Sequence, residues 1–494
     1  MKDNQLLRTS PESVGIPSAA IEAFLDAAAD RGIDLHSIMI LRHGKVCAEG
    51  WWAPYSPELL HPMYSATKSF TSTAIGFAVQ EGLLSLDTKL VDIFSDCLPE
   101  NPSENLKKAT IHDLLCMGCG HETEPLIMGE SDWIRKFLAH EFKYEPGTTF
   151  QYNTAGTNML CAALYRVSGQ QLSEFLRPRF FDKVGIGEFR TTYLPDGTEM
   201  GGAGYRLRTE DLAKLCQFIL NRGTWNGERL LNEEWFDKIG TKQIETKNDV
   251  YKTPSPEWLL GYSYQYWMCR EPGTFRADGL FGQFGVIIPS KNAAVIITET
   301  TLDTQGTLDL IWEHLYPAMG EPLQEDSSAE AALKARLDRL TLARFPAGTI
   351  KGDQKYNRTY KSTGSCSLGL KELAGALRFG GKPSGLKSIG FGFGGRIAEI
   401  TIDEGEGEAV LSVSLGMDYA ENVYNGEKYF CRGHWRSPIH FEMEVHAPEA
   451  GQGMMINFVF DDKGVSVRPE RILAFAGFPG MQSPADPTFR MELI

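Results

Sequence analysis

Residues 63–70 read MYSATKSF, and within this stretch Ser65 and Lys68 have the spacing Ser-x-x-Lys. On a helix, Lys68 would lie about one turn beyond Ser65 and on the same face. A serine hydroxyl is a poor nucleophile near neutral pH and needs a base within hydrogen-bond reach. A lysine amine can be that base when burial or a positive neighbour lowers its pKa. The stretch therefore predicts a serine acyl-transfer site.

The residues after this stretch help to distinguish a catalytic Ser-x-x-Lys pair from a chance match. A serine and a lysine three residues apart occur by chance in any long chain, usually on a solvated helix surface. Residues 71–79, however, read TSTAIGFAV, which is small and apolar on nearly every side and is typical of a buried helix. A lysine at the start of such a helix is expected to be partly desolvated, as a catalytic amine must be.

Length, charge and cysteine content bound the class of protein. A chain of 494 residues is longer than one hydrophobic core usually organises, so two domains are expected. The net charge of −15 disfavours nucleic-acid and anionic-membrane partners, since both need clustered basic residues. The N-terminus lacks the apolar core of a signal peptide, and no long apolar window predicts a membrane span. Nine cysteines, an odd number, favour reduced thiols in a cytoplasmic protein.

The first two thirds of the chain read as strands at both ends with helices between them. Helices are predicted from about 18 to 31, from about Ser65 onward, and near 133–138, 156–167, 209–221 and 306–315. Strands are predicted at 37–41, 45–49, 261–267, 285–289 and 294–298. This order implies an α+β fold, with one antiparallel sheet flanked by helices and an inserted helical region.

The pattern changes after a predicted amphipathic helix at 327–342. Short alternating strands then recur, for example at 397–402, 409–414 and 456–460, with glycine-rich turns between them. This is typical of a small antiparallel β domain, either a sandwich or a barrel. The predicted organisation is a catalytic domain at 1–326, a connecting helix and linker at 327–345, and a C-terminal β domain at 346–494.

Two further segments fit the Ser-x-x-Lys pair. Residues 146–154 read PGTTFQYNT, and residues 275–285 read FRADGLFGQFG ahead of an apolar strand. Over about residues 10 to 320, the three elements in this order resemble the serine β-lactamase and penicillin-binding-protein superfamily. They are most similar to its class C-like branch of esterases, D-amino-acid peptidases and amide hydrolases. The resemblance implies a β-lactamase-like fold for the catalytic domain.

The segment at 146–154 resembles the Tyr-x-Asn loop of this superfamily. The resemblance implies that Tyr152 faces Ser65 across the cleft as the partner of Lys68. A phenol beside an ammonium is expected to have a lowered pKa and to relay the serine proton to the leaving group. Thr154 stands where the family has asparagine and is expected to contact substrate, although a hydroxyl cannot match an amide's donor and acceptor pair.

The segment at 275–285 resembles the sheet edge where penicillin-binding proteins carry Lys-Thr-Gly. The resemblance implies an oxyanion hole made by the backbone amides of Ser65 and Leu280, with Asp278 and Gly279 contacting substrate. Glycine lets a substrate approach the backbone closely. The missing lysine removes the cation that usually holds a substrate carboxylate, which argues against high β-lactamase or D,D-carboxypeptidase activity.

Two other groups of residues invite different interpretations. Residues 116–121 read CMGCGH, but no second cysteine pair at zinc spacing follows, so neither a metal site nor a redox motif is predicted. This loop is expected to border the cleft, where Cys119 or His121 would touch substrate. The adjacent His112 and Asp113 could suggest a Ser-His-Asp triad, yet a Ser-x-x-Lys enzyme needs no histidine. A structural role at a helix N-terminus is expected for this pair.

The sequence thus predicts a serine hydrolase that cleaves small esters or amides, including short or D-configured peptides, without metal or organic cofactor. Ser65 would form the acyl-enzyme, with Lys68 and Tyr152 as proton-transfer partners. Two alternatives remain open: a transacylase or strict peptidase of the same fold, and a non-catalytic penicillin-binding-type sensor. The β domain could shape the cleft, form a homo-oligomer or bind a partner, and its sequence does not discriminate among these roles.

Overall fold

The computed structural model describes residues 6–342, 350–362, 385–405, 407–424, 426–471 and 488–493. The chain divides into two compact units. The first consists of Met1–Trp51 and Pro62–Arg339, and the second of Trp52–His61 and Leu340–Ile494. A short segment near the N-terminus therefore joins the C-terminal unit, a feature that the sequence pattern did not indicate.

The first unit is built on a seven-stranded sheet with the strand order β1-β3-β2-β11-β10-β9-β8. Its pairs are antiparallel except for the parallel pair of β1 and β3. The strands up to residue 299 are β1 (Leu7–Arg8), β2 (Leu35–Arg42), β3 (Lys45–Trp51), β4 (His61–Pro62), β5 (Arg206–Leu207), β6 (Thr224–Trp225), β7 (Glu228–Arg229), β8 (Trp267–Met268), β9 (Phe275–Gly279), β10 (Gln283–Ile288) and β11 (Ala293–Glu299).

Helices cover this sheet and fill the region between β3 and β8. They are α1 (Ser18–Asp30), α2 (Thr67–Gln80), α3 (Leu90–Ile93), α4 (Glu104–Lys108), α5 (Ile111–Leu115), α6 (Trp133–Ala139), α7 (Thr154–Ser168), α8 (Leu172–Leu176), α9 (Asp182–Val184), α10 (Thr209–Leu220), α11 (Glu233–Ile239), α12 (Thr304–Leu310) and α13 (Ser327–Leu337). α10 packs on β2, β10 and β11, and α2 packs on α7. The predicted α+β architecture is confirmed. α13, the helix within the predicted connector, belongs to the first unit.

One predicted strand is wrong. Residues 261–267 alternate aromatic side chains, but strand geometry is limited to β8, which begins at Trp267. Gln265 has a φ of 68°, in the left-handed region, so the chain turns there instead of continuing as a strand. The Gln265 side chain holds this turn: it donates to the carbonyls of Leu114 and Leu115 and accepts from the Thr157 hydroxyl.

The second unit is the predicted antiparallel β domain, and its sheet closes into a barrel. Its strands are β12 (Thr359–Ser362), β13 (Ser388–Gly394), β14 (Ile397–Asp403), β15 (Glu408–Ser414), β16 (Ala420–Tyr424), β17 (Glu427–Ser437), β18 (His440–Ala447), β19 (Gln452–Phe460), β20 (Gly464–Arg471) and β21 (Phe489–Leu493). Pairing of β15 with β17 closes nine of these strands. Among the described residues of the chain, no helix is long and apolar enough to cross a bilayer.

Candidate active site

Ser65 lies on a tight turn immediately before α2. The turn is a single 3-10 turn, Tyr64–Ala66, whose flanking residues are buried while Ser65 is half-buried. Tyr64 has a φ of 45°, which is uncommon for a bulky residue and is typical of functional turns. The helix predicted to begin at Ser65 therefore begins two residues later, at Thr67. The turn holds the serine hydroxyl beside the first turn of α2.

Lys68 lies in that first turn and is only 1% exposed. Its Nζ lies 3.1 Å from Ser65 Oγ, 3.3 Å from Thr154 Oγ1 and 2.6 Å from the carbonyl oxygen of Gly202. These three partners come from the nucleophile turn, the start of α7 and a glycine-rich loop. All three are uncharged oxygen atoms, so none of them forms an ion pair with the amine.

The pKa of Lys68 reflects this environment. Burial lowers the pKa from its ordinary 10.5 to about 7, because a charged amine loses its hydration in the interior. The charges of Glu124 and Asp278 act in the opposite direction, as does the Cys161 thiol. A lysine with a pKa near 7 has a large neutral fraction at neutral pH and can accept a proton from Ser65.

Tyr152 is the other side chain that the structure brings to Ser65. The centre of its ring lies 5.0 Å from Lys68 Nζ, and it forms a hydrogen bond with Ser65. Burial raises the pKa of Tyr152 above its ordinary value of 10, and the Ser65 hydrogen bond only partly offsets this effect. The predicted lowering of this pKa is therefore wrong, because burial of the phenolate outweighs any nearby positive charge. Tyr152 is present as a neutral phenol that can donate and accept hydrogen bonds.

The glycine-rich loop at 201–204 brings a backbone carbonyl to Lys68. The Gly202 amide donates to Asn158 Oδ1 at 2.9 Å, which orients the loop on α7. A Cβ at Gly202 would lie 2.6 Å from Thr154 Cγ2, so a larger residue would push the loop away. Sequence reasoning assigned Gly202 no role.

The C-terminal end of β9 packs directly against the backbone that leads to Ser65. A Cβ at Gly279 would lie 2.3 Å from the Met63 carbonyl oxygen, so glycine is needed here for the close approach of two backbones. Leu280 follows in the turn between β9 and β10. The Phe281 ring meets the Tyr64 ring edge-on at 5.5 Å. The turns that carry Ser65 and Leu280 are thus packed together, as an oxyanion hole made by their two amides requires.

The Gln283 side chain holds the turn that carries Leu280. Its Nε2 donates to the Leu280 carbonyl at 2.9 Å and to the Glu299 carbonyl at 2.8 Å, and its Oε1 accepts from the Glu299 amide. A buried amide with all of these partners fixes the backbone around it. Gln283 lay within the quoted segment, but its role depends on β11, which is distant in sequence.

Asp278 and Arg276 form a buried ion pair on β9. Arg276 is 0% exposed, and its Nε donates to Asp278 Oδ2 at 2.8 Å. Its Nη1 lies 3.6 Å from Glu257, and its guanidinium lies over the Trp258 ring at 4.6 Å. Arg276 is therefore held in internal contacts and does not present an exposed cation in place of the family's lysine.

Aromatic side chains surround the Tyr152 end of the site. The Trp267 ring stacks on the Tyr152 ring with centroids 5.6 Å apart, and Tyr251 lies 5.9 Å from Trp267. Tyr251 also lines a surface cavity of about 620 Å³ whose other walls include Lys247 and Lys252. The contacts of Tyr251 with Trp267 and of Trp267 with Tyr152 connect this cavity to the site.

Cys119 and His121 lie in the interior, 3% and 1% exposed. Asn153 Nδ2 donates to His121 Nδ1 at 3.0 Å, and Asn153 Oδ1 caps α7 by accepting from the Gly156 amide. Burial lowers the pKa of His121 to about 3, so the ring is neutral and can accept this hydrogen bond. Contact of Cys119 and His121 with substrate stays a prediction. In this structure their side chains contact Asn153, the residue that follows Tyr152.

Asp113 has the structural role at a helix N-terminus that the sequence predicts. The Asp113 carboxylate accepts from the amide and hydroxyl of Thr110, and the Thr110 hydroxyl accepts from the Asp113 amide. This reciprocal arrangement is a capping box at the start of α5. The His112 ring instead meets the Tyr264 ring edge-on at 5.5 Å.

Glu124 was missed by sequence reasoning. It lies in the loop between α5 and α6, and its Oε1 accepts from the Ala155 amide at 3.0 Å. Burial raises its pKa, while the Lys68 charge and hydrogen bonds from Ala155 and from the Thr154 amide and hydroxyl lower it. No motif surrounds Glu124 in the sequence, so only its position in the fold indicates a role.

Known proteins share this architecture. The beta-lactamase family model matches residues 5–315. The 6-aminohexanoate-dimer hydrolase of Paenarthrobacter ureafaciens is 24% identical over 330 residues, covering 59% of this chain and 82% of that protein.

Two solved structures are similar in fold. A penicillin-binding protein homologue from Caulobacter crescentus is 15% identical with a TM-score of 0.50, covering 63% of this chain and 99% of its own. A family VIII carboxylesterase is 17% identical with a TM-score of 0.50, covering 62% of this chain and 99% of its own. The match of the family model over most of the first unit shows that this chain belongs to the beta-lactamase family and is a hydrolase of that family.

Proposed function

We propose that this hydrolase cleaves small esters or amides, including short or D-configured peptides, through an acyl-enzyme on Ser65. One observation carries the proposal: Lys68 Nζ lies 3.1 Å from Ser65 Oγ, and burial lowers the pKa of this amine to about 7. A nucleophile beside a base of matched pKa is the arrangement that covalent acyl transfer requires.

In the acylation step, Ser65 Oγ attacks the substrate carbonyl carbon while its proton moves to Lys68 Nζ. The carbonyl π electrons move to the oxygen, which the amides of Ser65 and Leu280 would stabilise by about 2.7–4 kcal/mol for each donor. Collapse of the tetrahedral intermediate breaks the bond to the leaving group. Tyr152, a neutral phenol, donates its proton to the leaving group and recovers one from the Lys68 ammonium.

Deacylation follows by the same route in reverse. Water takes the place of the leaving group, gives a proton to the Tyr152 and Lys68 pair, and attacks the acyl carbonyl. The intermediate then releases the acid, and Ser65 recovers its proton. No step requires a group from outside the described site other than water.

The substrate class is narrowed by the charge of the site. Asp278 lies on β9, in the segment where the family's lysine-containing motif is expected, and Arg276 is enclosed by internal partners. Substrates that depend on a carboxylate–cation contact, as β-lactams do in the family, are therefore expected to be poor. Two similar proteins are named as a 6-aminohexanoate-dimer hydrolase and a family VIII carboxylesterase, and these names support ester and amide substrates.

The test is hydrolysis of short-chain p-nitrophenyl esters, with intact protein mass recorded during turnover. Ser65→Ala is expected to lower kcat/KM by about 10⁴-fold or more, because the nucleophile and base act as a unit. Ser72→Ala is the matched control, since Ser72 lies on the same helix and its hydroxyl has no hydrogen-bond partner among the described residues. Full activity in Ser65→Ala would contradict the proposal.

The same experiment separates the alternatives. A hydrolase shows a transient acyl adduct and steady product release. A transacylase would favour an added amine or alcohol over water as acceptor, with transfer product exceeding free acid. A sensor of penicillin-binding type would keep a stable adduct without turnover.

A further inference from the structure

The residue at position 154 raises a question about hydrogen-bond direction. In the family's Tyr-x-Asn pattern, the third side chain has an amide oxygen that can only accept a hydrogen bond. Thr154 has a hydroxyl, which can donate or accept. The threonine alone therefore does not determine whether it competes with Lys68 or supports it.

The number of hydrogen bonds at Lys68 shows which way the hydrogen bond between Lys68 and Thr154 must run if Lys68 is to act as a base. A neutral amine has two N–H donors and one lone pair, and Lys68 Nζ has three oxygen partners. The Gly202 carbonyl can only accept, so it uses one N–H. If the lone pair is to take the Ser65 proton, the second N–H must be accepted by Thr154 Oγ1.

Glu124 provides a reason for Thr154 Oγ1 to accept. An ionised carboxylate can only accept hydrogen bonds, and Thr154 acts on the pKa of Glu124 as a hydrogen-bond donor does, by lowering it against the larger effect of burial. The Ala155 amide fixes the same carboxylate at 3.0 Å. Glu124 thus lies at the N-terminus of α7, a helix of 15 residues, where negative charge is favoured.

We propose that Glu124 is a positioning residue for the catalytic lysine. By accepting the Thr154 hydroxyl proton, it makes Thr154 Oγ1 an acceptor for Lys68 and leaves the lysine lone pair directed at Ser65. The Glu124–Thr154 pair thereby replaces the amide oxygen that an asparagine would supply. This inference rests on the proposed function, in which Lys68 is the base for Ser65.

Charge gives a second consequence that a purely structural role would not have. The ionisable groups that act on Lys68 are Glu124, Asp278 and Cys161, with the Tyr152 ring also in contact. The Glu124 carboxylate raises the lysine pKa against the effect of burial. Removing this charge should lower the pKa of Lys68, so the acid limb of the pH–rate profile should move to lower pH.

The experiment compares Glu124→Gln, which removes the charge, with Glu124→Ala, which removes the acceptor as well. Turnover of a p-nitrophenyl ester is measured from pH 5 to 9. Glu124→Gln is expected to move the acid limb of kcat/KM down by about 1 pH unit. Glu124→Ala is expected to lose about tenfold or more in kcat/KM at its optimum, as for a lost hydrogen bond to a charged group.

Glu122→Gln is the matched control on the same loop. Glu122 is exposed and pairs with Lys143 at 2.6 Å. It is expected to keep kcat/KM within about twofold and to leave the acid limb in place, since exposed ion pairs contribute little. Thermal unfolding of each variant shows whether the fold is retained.

The second arm is rescue by Thr154→Asn, which supplies an acceptor without Glu124. In the Thr154→Asn background, Glu124→Ala is expected to lower kcat/KM by less than about threefold. The effects of changing positions 124 and 154 are not additive, because both residues act on one hydrogen bond. Equal losses in both backgrounds, with an unmoved acid limb, would overturn the inference and leave Glu124 as a helix cap.

The Ser65→Ala variant distinguishes failure of the proposed function from failure of the proposed role of Glu124. If Ser65→Ala kept wild-type turnover, the proposed function would fail, and the role of Glu124 would fail with it. If activity depended on Ser65 and the acid limb moved as expected, both would stand. If activity depended on Ser65 but Glu124→Ala lost the same activity in both backgrounds and the acid limb did not move, only the inference would fail.

Discussion

Lys68 at the start of α2 and Arg276 on β9 are both cationic side chains with almost no exposed surface, 1% and 0%. Lys68 is surrounded by uncharged oxygen atoms, and burial lowers its pKa to about 7. Arg276 is surrounded by Asp278, Glu257 and aromatic rings, and its pKa is raised although burial acts to lower it. The partners decide the outcome, and burial alone does not.

This difference separates a reactive cation from a structural one. A lysine without a carboxylate partner can release its proton and act as a base. An arginine between two carboxylates stays charged and holds β9, the strand that leads to Leu280. Under the proposed function, the start of α2 therefore supplies chemistry to the site and β9 supplies rigidity.

Removing the basicity of Lys68 should have the largest effect. Lys68→Met and Lys68→Arg are each expected to lower kcat/KM by about 10²–10⁴-fold, because an arginine cannot act as a base in this pH range. Steady-state ester hydrolysis and thermal unfolding are measured together. An arginine variant that keeps more than a tenth of the activity would show that only the positive charge matters.

Removing the charge of Arg276 should act on stability instead. Arg276→Met removes the cation that pairs with Asp278 and leaves Glu257 paired with Arg270, so the free energy of unfolding is expected to fall by about 3–5 kcal/mol. Urea denaturation at pH 7 measures this loss. Lys68→Met is the contrasting variant and should cost much less, since burial already disfavours the charged lysine. Similar losses of unfolding free energy in Arg276→Met and Lys68→Met would contradict the distinction between a structural and a reactive cation.

The smallest effect, counted per unit of pH, is expected from titration of Lys68. Because neutral Lys68 is the proposed base, kcat/KM should fall about tenfold per unit below a pKa of about 7. The folded pKa lies below the ordinary value of 10.5, so the unfolded chain binds more protons between these values. Wild-type stability relative to Lys68→Met should therefore rise by about 1.4 kcal/mol per pH unit from about 7 to 10.5. A stability difference between wild type and Lys68→Met that does not change with pH would contradict the lowered pKa of Lys68.

Elements with strong local patterns could be predicted from the sequence. The helix near 18–31 is α1 (Ser18–Asp30), and the strand at 294–298 is β11 (Ala293–Glu299). The aromatic alternation at 261–267 misled, because those rings pack in the core around a turn at Gln265. Periodicity reports which side chains are buried, and a turn can bury alternate residues as well as a strand can.

The residues of the candidate site also fall into two groups, those that local sequence predicts and those that depend on distant elements. The four residues from Ser65 to Lys68 specify the proposed nucleophile and its proposed base, because about one turn of chain brings them together. Glu124 and Gln283 could not be assigned, since their partners lie on other elements. The pKa of Tyr152 was predicted in the wrong direction, because the degree of burial of its phenol is a property of the packed site.

The sequence by itself determined the fold class, the Ser-x-x-Lys pair and the order of the three catalytic segments, since each depends on neighbours within a few residues. The tertiary structure alone decided whether Lys68 is a base. Its 2.6 Å contact with Gly202 joins residues 134 positions apart, and its pKa depends on burial beneath several elements. Desolvation and hydrogen-bond direction arise from packing, and packing brings together residues that are distant along the chain.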